Sequence, residues 1–465
     1  MKERKTGLQM TRRDWLRFMG VSGFAAGLAA CAPPGAAPAE EAADAEVLVD
    51  RWTTGLVDPD ISGTFRIISW EGEGEIDKFI PFIEGFFEER YPNMEVEIES
   101  GVPWGDYWTK LPTQIAGGDP PDLAWQHQSR GWVYPDKGWS HSMQQYVESH
   151  PPDGWPDDWE PKMIEMSTYK GELHSLPYGW VTWGLFVNRE ITDSIQEYPF
   201  PDDWTWQDLR EIAKEATSGE GMDKIYGCRI PIFDKTLWAV SMTWGADLFD
   251  TERTRGNFDD PIVEEAAKYL WDLRWTDGSS PTPGDEQAMG LGGEFLFASG
   301  RIGMHMGISD IAARLDNAIG DKFPWGIAPI PTGPNGRFGY EGGAQWMIPA
   351  GSKFPELAYE LTRYVLSNED ILPTLGIEGS LYPPRLSLAE YGLPKGWEEK
   401  IPNAKHALLT LGLEQPTYYQ YFTKYQEWSA LWSKWMDPIF VEGKENIKEA
   451  LVGLNNETNE LLGAA

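Results

Sequence analysis

Three glutamates stand at alternate positions of a glycine-rich segment, at Glu71, Glu73 and Glu75. Two carboxyl groups at a suitable separation hydrolyse glycosidic bonds, one as an acid and the other as a nucleophile or base. The same pattern is typical of a solvated loop whose acids face the positive end of the helix that follows. We expect this second, structural role, and a glycoside-active protein stays open as the alternative.

Other catalytic patterns are missing from the sequence. The six histidines show no HExxH or other paired metal spacing, and the sequence contains no GxSxG, Walker or GxGxxG motif. The only two cysteines are Cys31 and Cys228, which excludes a structural zinc site built of thiolates. We therefore predict a protein that is not an enzyme and that needs no metal or cofactor.

Tryptophan is the most unusual component, with 24 residues in a chain whose formal net charge is −34. The acidic charge repels nucleic acid and anionic membrane surfaces, so we expect no nucleic-acid partner. Part of the tryptophan must build a core, because a large ring buries much apolar area. Flat rings also stack on the C–H faces of sugars while neighbouring polar groups bind the hydroxyls. This composition therefore favours a neutral carbohydrate as ligand.

The N-terminus carries the pattern of an export signal. Arg12 and Arg13 precede a short apolar run that ends in Leu-Ala-Ala-Cys31, which resembles a twin-arginine (Tat) signal joined to a lipobox. The run is too short and too glycine-rich for a spanning helix, which needs about 20 apolar residues. We predict that residues 1–30 are removed and that lipid on Cys31 anchors the chain outside the cell membrane, periplasmic or at the cell surface. Residues 31–60, rich in Ala, Pro and Glu, are predicted to form a flexible tether.

Strand and helix patterns alternate beyond the tether. The predicted strands are 64–70, 94–99, 121–125 and 185–187, and the main predicted helices are 76–90, 104–116, 206–216, 261–275, 356–366 and 447–462. This order predicts a parallel sheet with helices on its faces. Ligands bind beyond the carboxyl ends of the strands in such sheets. We therefore expect Trp70, Glu71 and residues 126–129 near one rim of the sheet.

Six segments in chain order resemble the extracellular solute-binding proteins of ABC importers, in the family that binds sugars and oligosaccharides. These segments are 107–122 (with QIAGG and PPD), 169–177 (YKGELHSLP), 185–189 (LFVNR), 204–209 (WTWQDL), 297–304 (FASGRIGM) and 325–331 (WGIAPIP). The resemblance implies a monomer that captures a sugar or oligosaccharide and delivers it to ABC permease subunits in the membrane. A binding protein for a solute other than a sugar is the alternative within this class.

The same resemblance implies an α/β, two-lobed, periplasmic-binding-protein-like fold of the type II kind, with discontinuous lobes and a hinge. Carried onto this chain, lobe one comprises 61–178 with 305–345, and lobe two comprises 185–300 with 350–465. The crossings between the lobes fall near 178–184, 301–309 and 343–350.

The resemblance also points to ligand contacts. The candidates are Trp70, Glu71, Gln128, Trp180, Trp183, Trp238, Trp244, Ser309, Gly343, Trp346, Tyr382 and Arg385. Gln128 stands where the maltodextrin-binding branch has a sugar-binding carboxylate, and an amide can still donate to and accept from hydroxyls. Ser309 stands where relatives often carry a stacking tryptophan, a space that His305 or Trp346 could fill instead. For Gly343 a plain hinge turn is the alternative, and for Arg385 a structural ion pair.

Overall fold

The computed structural model describes residues 55–70, 79–372, 381–393, 396–412, 416–418 and 422–464. Eleven strands are present in this part of the chain. They are β1 (Gly63–Ile68), β2 (Met94–Glu99), β3 (Leu123–His127), β4 (Thr168–Tyr169), β5 (Glu172–Leu173), β6 (Ser175–Asn188), β7 (Tyr226–Arg229), β8 (Ile302–Ile308), β9 (Trp325–Ala328), β10 (Gly339–Met347) and β11 (Pro416–Tyr418). Nine of these strands join in one mixed sheet, and β4 and β5 form a separate hairpin.

Helices cover the faces of the sheet. They are α1 (Ile80–Arg90), α2 (Trp104–Ala116), α3 (Val133–Asp136), α4 (Gln144–Ser149), α5 (Pro161–Ser167), α6 (Arg189–Thr192), α7 (Trp206–Ala216), α8 (Asp234–Trp244), α9 (Pro261–Trp275), α10 (Pro283–Met289), α11 (Glu294–Ala298), α12 (Ala312–Ile319), α13 (Pro355–Ser367), α14 (Trp397–Lys400), α15 (Tyr425–Phe440) and α16 (Ile447–Leu462). None of the described helices is both long and apolar enough to cross a membrane.

The first part of the sheet is parallel, as the sequence predicts. β1 pairs with β2 from Gly63 opposite Met94 onward, and it pairs with β3 on its other side. The amphipathic α1 and α2 connect these strands and bury their apolar faces, with Phe86 and Leu111 fully inside. Because the three strands run in one direction, the residues that follow them meet at a single rim.

Local signals fix several helix ends. The Thr205 hydroxyl accepts a hydrogen bond from the backbone N–H of Asp208, and the Asp208 carboxylate accepts one from the backbone N–H of Thr205, which closes a capping box at the start of α7. Asp260 caps α9 in front of Pro261. The predicted helices 104–116, 206–216, 261–275 and 447–462 are confirmed to the residue.

Two hydrophobic clusters form the core. The first cluster takes its buried apolar side chains from 57–178 and 344–372, and the second takes nearly all of its own from 180–330 and 382–454. β6 is buried along its whole length and runs through both clusters. Its first half pairs with β10, and its second half pairs with β8 and β9. β6 and β10 are therefore the strands that join the two clusters.

The clusters divide the chain differently from the predicted lobes in two places. Residues 302–330 pack in the second cluster, because β8 pairs with β6 and β7 there and because Leu315 of α12 is buried in it. Residues 344–372 pack in the first cluster, where Tyr359 of α13 stacks on Tyr146 at 5.2 Å between ring centroids. We therefore propose lobes of 61–178 with 344–372 and of 183–330 with 382–462, so that 301–309 is not a crossing.

Candidate functional site

An aromatic group lies at the rim where β1, β2 and β3 end. Trp70 follows β1, Trp104 opens the helix that follows β2, and His127 ends β3. The Trp104 ring centroid lies 5.4 Å from that of Trp70 and 5.1 Å from that of His127, in edge-to-face geometry. The buried Trp108 ring supports Trp104 from 5.0 Å. Trp104 itself is 46% exposed, so it offers one face of a rigidly held ring to a ligand.

Arg130 extends this aromatic group. Its guanidinium carbon lies 4.2 Å from the Trp108 ring centroid and 5.9 Å from that of Trp104, which is cation–π geometry. Arg130 Nη1 donates a hydrogen bond to Ser129 Oγ at 2.9 Å. Burial lowers the pKa of Arg130 below its ordinary value. A guanidinium carries five N–H donors, so Arg130 can donate to a ligand oxygen beside Trp104.

His127 is a neutral donor at this rim. The backbone N–H of Ser129 donates to His127 Nδ1 at 3.2 Å, so the hydrogen of the neutral imidazole is on Nε2. Burial lowers the pKa of His127 well below 6.5, and the positive charges of Lys235 and Arg130 lower it further. His127 is therefore uncharged at neutral pH and presents Nε2–H as a hydrogen-bond donor.

Side chains of the second cluster lie across from the rim. The positive charge of Lys235, in the first turn of α8, lowers the pKa of His127. Helix α15, which begins at Tyr425, contacts the turn 128–130 that carries Arg130. Tyr425 donates a hydrogen bond to Asp234 Oδ2 at 3.2 Å. Burial raises the pKa of Asp234 above its ordinary value. Elements of both clusters thus approach each other at this rim, which also carries the exposed Trp104.

A family model matches this chain over residues 72–371, more than half of its length, and the model is that of the bacterial extracellular solute-binding proteins. The chain belongs to this family. Its members form a class of extracellular, substrate-binding proteins, and the predicted family and fold class are confirmed.

Solved structures share the two-lobed fold of this solute-binding protein. One is the ABC substrate-binding protein Lmo0181 from Listeria monocytogenes in complex with cycloalternan, with a TM-score of 0.76 and 20% identity over 87% of this chain and 100% of that one. Another is the GacH receptor of Streptomyces glaucescens, solved unliganded and with acarbose, with a TM-score of 0.69 and 19% identity over 87% and 99% of the two chains. The sugar-binding protein MalE from Xanthomonas citri matches with a TM-score of 0.71 and 20% identity over 86% and 98%.

Three predicted contacts meet where the solute-binding protein crosses between its clusters. Trp180 and Tyr382 exchange backbone hydrogen bonds of 2.9 and 2.8 Å, and their ring centroids lie 4.5 Å apart. Trp180 Nε1 donates to the Pro383 carbonyl at 2.7 Å. Ser309 Oγ accepts from the Thr182 backbone N–H at 3.2 Å. Burial raises the pKa of Tyr382 to about 12. These contacts hold together the segments that cross between the clusters. That Trp180, Tyr382 and Ser309 contact a ligand stays a prediction.

Gln128 and Gly343 bind each other. The Gly343 backbone N–H donates to Gln128 Oε1 at 2.6 Å, and Gln128 is fully buried. This hydrogen bond links the turn after β3 to β10. The predicted roles of the two residues at the ligand stay untested, and the structure gives them a joint role in holding the rim to the crossing strand.

Three predicted tryptophans are buried beside other side chains. Trp183 lies beside Phe233 (6.0 Å), Trp238 beside Arg253 (4.9 Å) and Trp346 beside Trp125 (4.9 Å). All three are less than 5% exposed. The structure thus places these three side chains in the core, where burying a large ring stabilises the fold. Their part in ligand binding stays a prediction.

The remaining predicted residues lie in different places. Trp70 belongs to the rim group, as the strand order predicts. Arg385 binds Asp158 at 3.0 Å and Glu369 at 3.1 Å, which is the structural ion pair weighed as its alternative. Trp244 lines a separate cavity in the second cluster. Glu71, Cys31, Arg12 and Arg13 lie outside the described residues.

The sequence interpretation did not name Trp104, His127, Arg130, Lys235 or Tyr425 as ligand contacts, although it placed His127, within residues 126–129, at the rim. A signal existed for the first three, because all of them follow the carboxyl ends of predicted parallel strands. No comparable signal existed for Lys235 and Tyr425, which are 190 positions apart and approach the rim only through the crossing strands. In the described part of the chain, no three His, Cys, Asp or Glu side chains form a group that could hold a metal ion.

Proposed function

We propose that this solute-binding protein captures a neutral sugar or oligosaccharide in the cleft between its lobes. The observation that carries the proposal is the exposed Trp104 ring, held beside two donors, His127 Nε2–H and Arg130. A pyranose ring stacks its C–H face on an indole while its hydroxyls accept from such donors. The relatives solved with cycloalternan and with acarbose agree with this ligand class.

The placement of the polar groups on both lobes explains how a bound ligand would close the cleft. Lys235 and Tyr425 belong to one cluster and the Trp104 wall belongs to the other, so a ligand that contacts both binds the closed arrangement more tightly than an open one. That difference in affinity drives closure. We propose that the closed, ligand-bound monomer is presented to ABC permease subunits. Partner subunits of the importer would hydrolyse the ATP, since this chain has no Walker motif.

Sugar binding is expected to raise the melting temperature of the purified mature chain. A saccharide at 100 times its dissociation constant adds about 2.7 kcal/mol to the free energy of unfolding. The measurement is a thermal-shift screen of mono-, di- and oligosaccharides, including maltotriose and mannotriose, with polyols, glycerol phosphates and amino acids as controls. A shift with an amino acid or a phosphate and none with any sugar would contradict the proposed ligand class.

We also propose that Arg12 and Arg13 direct export by the Tat route and that lipid on Cys31 anchors the mature chain to the outside of the cell membrane. Replacing Cys31 by alanine is expected to move most of the exported protein from the membrane fraction to the soluble fraction. Cys228 provides the matched control, since it is buried and its thiol pKa is raised to about 12 by burial. Cys228→Ala should leave the protein in the membrane fraction, and equal fractionation of the two variants would refute the anchor.

A further inference from the structure

The second cluster contains a cavity of about 800 Å³ that the cleft does not include. It lies between the first half of α7, residues 261–272 of α9, the last residue of α8 and the loop 332–334. The lining residues are Thr205, Trp206, Gln207, Arg210, Trp244, Pro261, Glu264, Glu265, Lys268, Tyr269, Asp272, Thr332, Gly333 and Pro334. Its volume is in the range of sites that hold small organic ligands.

Helix α8 separates this cavity from the cleft. Lys235 is in the first turn of α8, from where its charge lowers the pKa of His127, whereas Trp244 is the last residue of α8 and lines the cavity. Nine residues of α-helix place the two positions about 14 Å apart along the helix axis. The two places therefore lie at opposite ends of α8.

Three aromatic side chains line the cavity and hold one another in place. The Trp244 ring packs edge-to-face on Tyr269 with 5.3 Å between centroids, and it is only half buried. The Tyr269 hydroxyl donates to the Trp206 carbonyl at 2.5 Å. Trp244 thus has a rigid support on one side and an accessible ring, which is what stacking on a ligand requires.

The polar groups of the lining do not favour an anion. Arg210 binds Asp277 through Nε at 2.6 Å and Nη2 at 3.1 Å, and Lys268 binds Asp272 at 2.7 Å. Both cations of the lining are therefore engaged by carboxylates. The side chains of Glu264 and Glu265 add further negative charge to the lining, which repels anionic ligands.

Two polar side chains of the lining can serve ligand hydroxyls. The amide of Gln207 and the hydroxyl of Thr332 both donate and accept hydrogen bonds.

We propose that this cavity is a second saccharide site, which takes a neutral di- or trisaccharide stacked on Trp244 with hydroxyls toward Gln207 and Thr332. The site lies within one lobe, so its occupation does not require closure. Binding at this site does not depend on the ligand in the cleft. A failure to detect binding at one site therefore does not decide whether the other site binds.

The test is ¹⁹F NMR of the full mature chain labelled with 5-fluorotryptophan. Single Trp→Phe variants assign the resonances of Trp244, Trp104 and Trp275. Maltotriose and mannotriose are titrated to about 20 mM, which detects dissociation constants in the millimolar range. Trp275 is the matched control, since it is a half-buried tryptophan on the same α9 whose side chain does not line the cavity.

We expect a saturable shift of the Trp244 resonance in the wild type and also in the Trp104→Ala variant, with the Trp275 resonance unchanged. A static Trp244 resonance with both saccharides would overturn the second site. A Trp244 shift that disappears in the Trp104→Ala variant would also overturn it, because the change would then be relayed from the cleft. The Trp104 resonance reports the proposed cleft function separately in the same spectra.

Discussion

Replacing Trp104 by alanine is expected to weaken sugar binding by about 10- to 100-fold, or about 1.4–2.8 kcal/mol. The substitution removes the exposed ring that would stack on the sugar, and it also opens one side of His127 and of Arg130 to water. Isothermal titration calorimetry with the best saccharide of the thermal-shift screen measures the change.

The fold should tolerate this substitution, because 46% of Trp104 is already exposed. The conservative variant Trp104→Phe keeps a smaller ring and is expected to retain most of the affinity. Trp159→Phe is the matched control in the same cluster, since Trp159 is fully buried beside Trp155 and is not one of the candidate ligand contacts. If Trp104→Ala binds sugar as tightly as the wild type, the rim group is not the ligand platform.

Much of the first lobe was predictable from the sequence, because its elements follow one another and pair locally. The apolar periodicity of α2 and the alternation of β2 give their bounds directly. The parallel order of β1, β2 and β3 then places Trp70 next to His127, a contact with 6.4 Å between ring centroids. A side chain at a rim is thus predictable when strand direction alone determines its position.

The rest of the site was not predictable in this way, because it depends on pairings between distant segments. Gln345 of β10 lies opposite Gln126 of β3, more than 200 residues away in sequence, and no local pattern specifies this register. The roles of the many tryptophans could not be separated from the sequence either. A tryptophan buried in a core and one exposed in a cleft have the same local sequence signal, and only packing separates Trp238 from Trp104.

Gly343 allows β6 and β10, the strands that join the two lobes, to pair closely. A β-carbon at this position would lie 2.2 Å from the Gly179 carbonyl oxygen and 2.5 Å from the terminal methyl of Met163. The pairing of β10 with β6 also shifts register one residue further on, between Ala344 and Gln345. The strands therefore approach each other so closely at the crossing that only glycine fits.

Gly343→Ala is accordingly expected to destabilise the protein by about 3 kcal/mol or more, at the upper end of the cost of overpacking, because the obstructing atom belongs to the backbone. Gly85→Ala is the matched control. No atom lies within 4 Å of a β-carbon at Gly85, which is inside α1, so this substitution should stabilise by up to about 1 kcal/mol. Thermal unfolding followed by tryptophan fluorescence compares the two. Equal melting temperatures would mean that β6 and β10 can separate at Gly343 without cost, and the close approach of the two strands would then not require glycine.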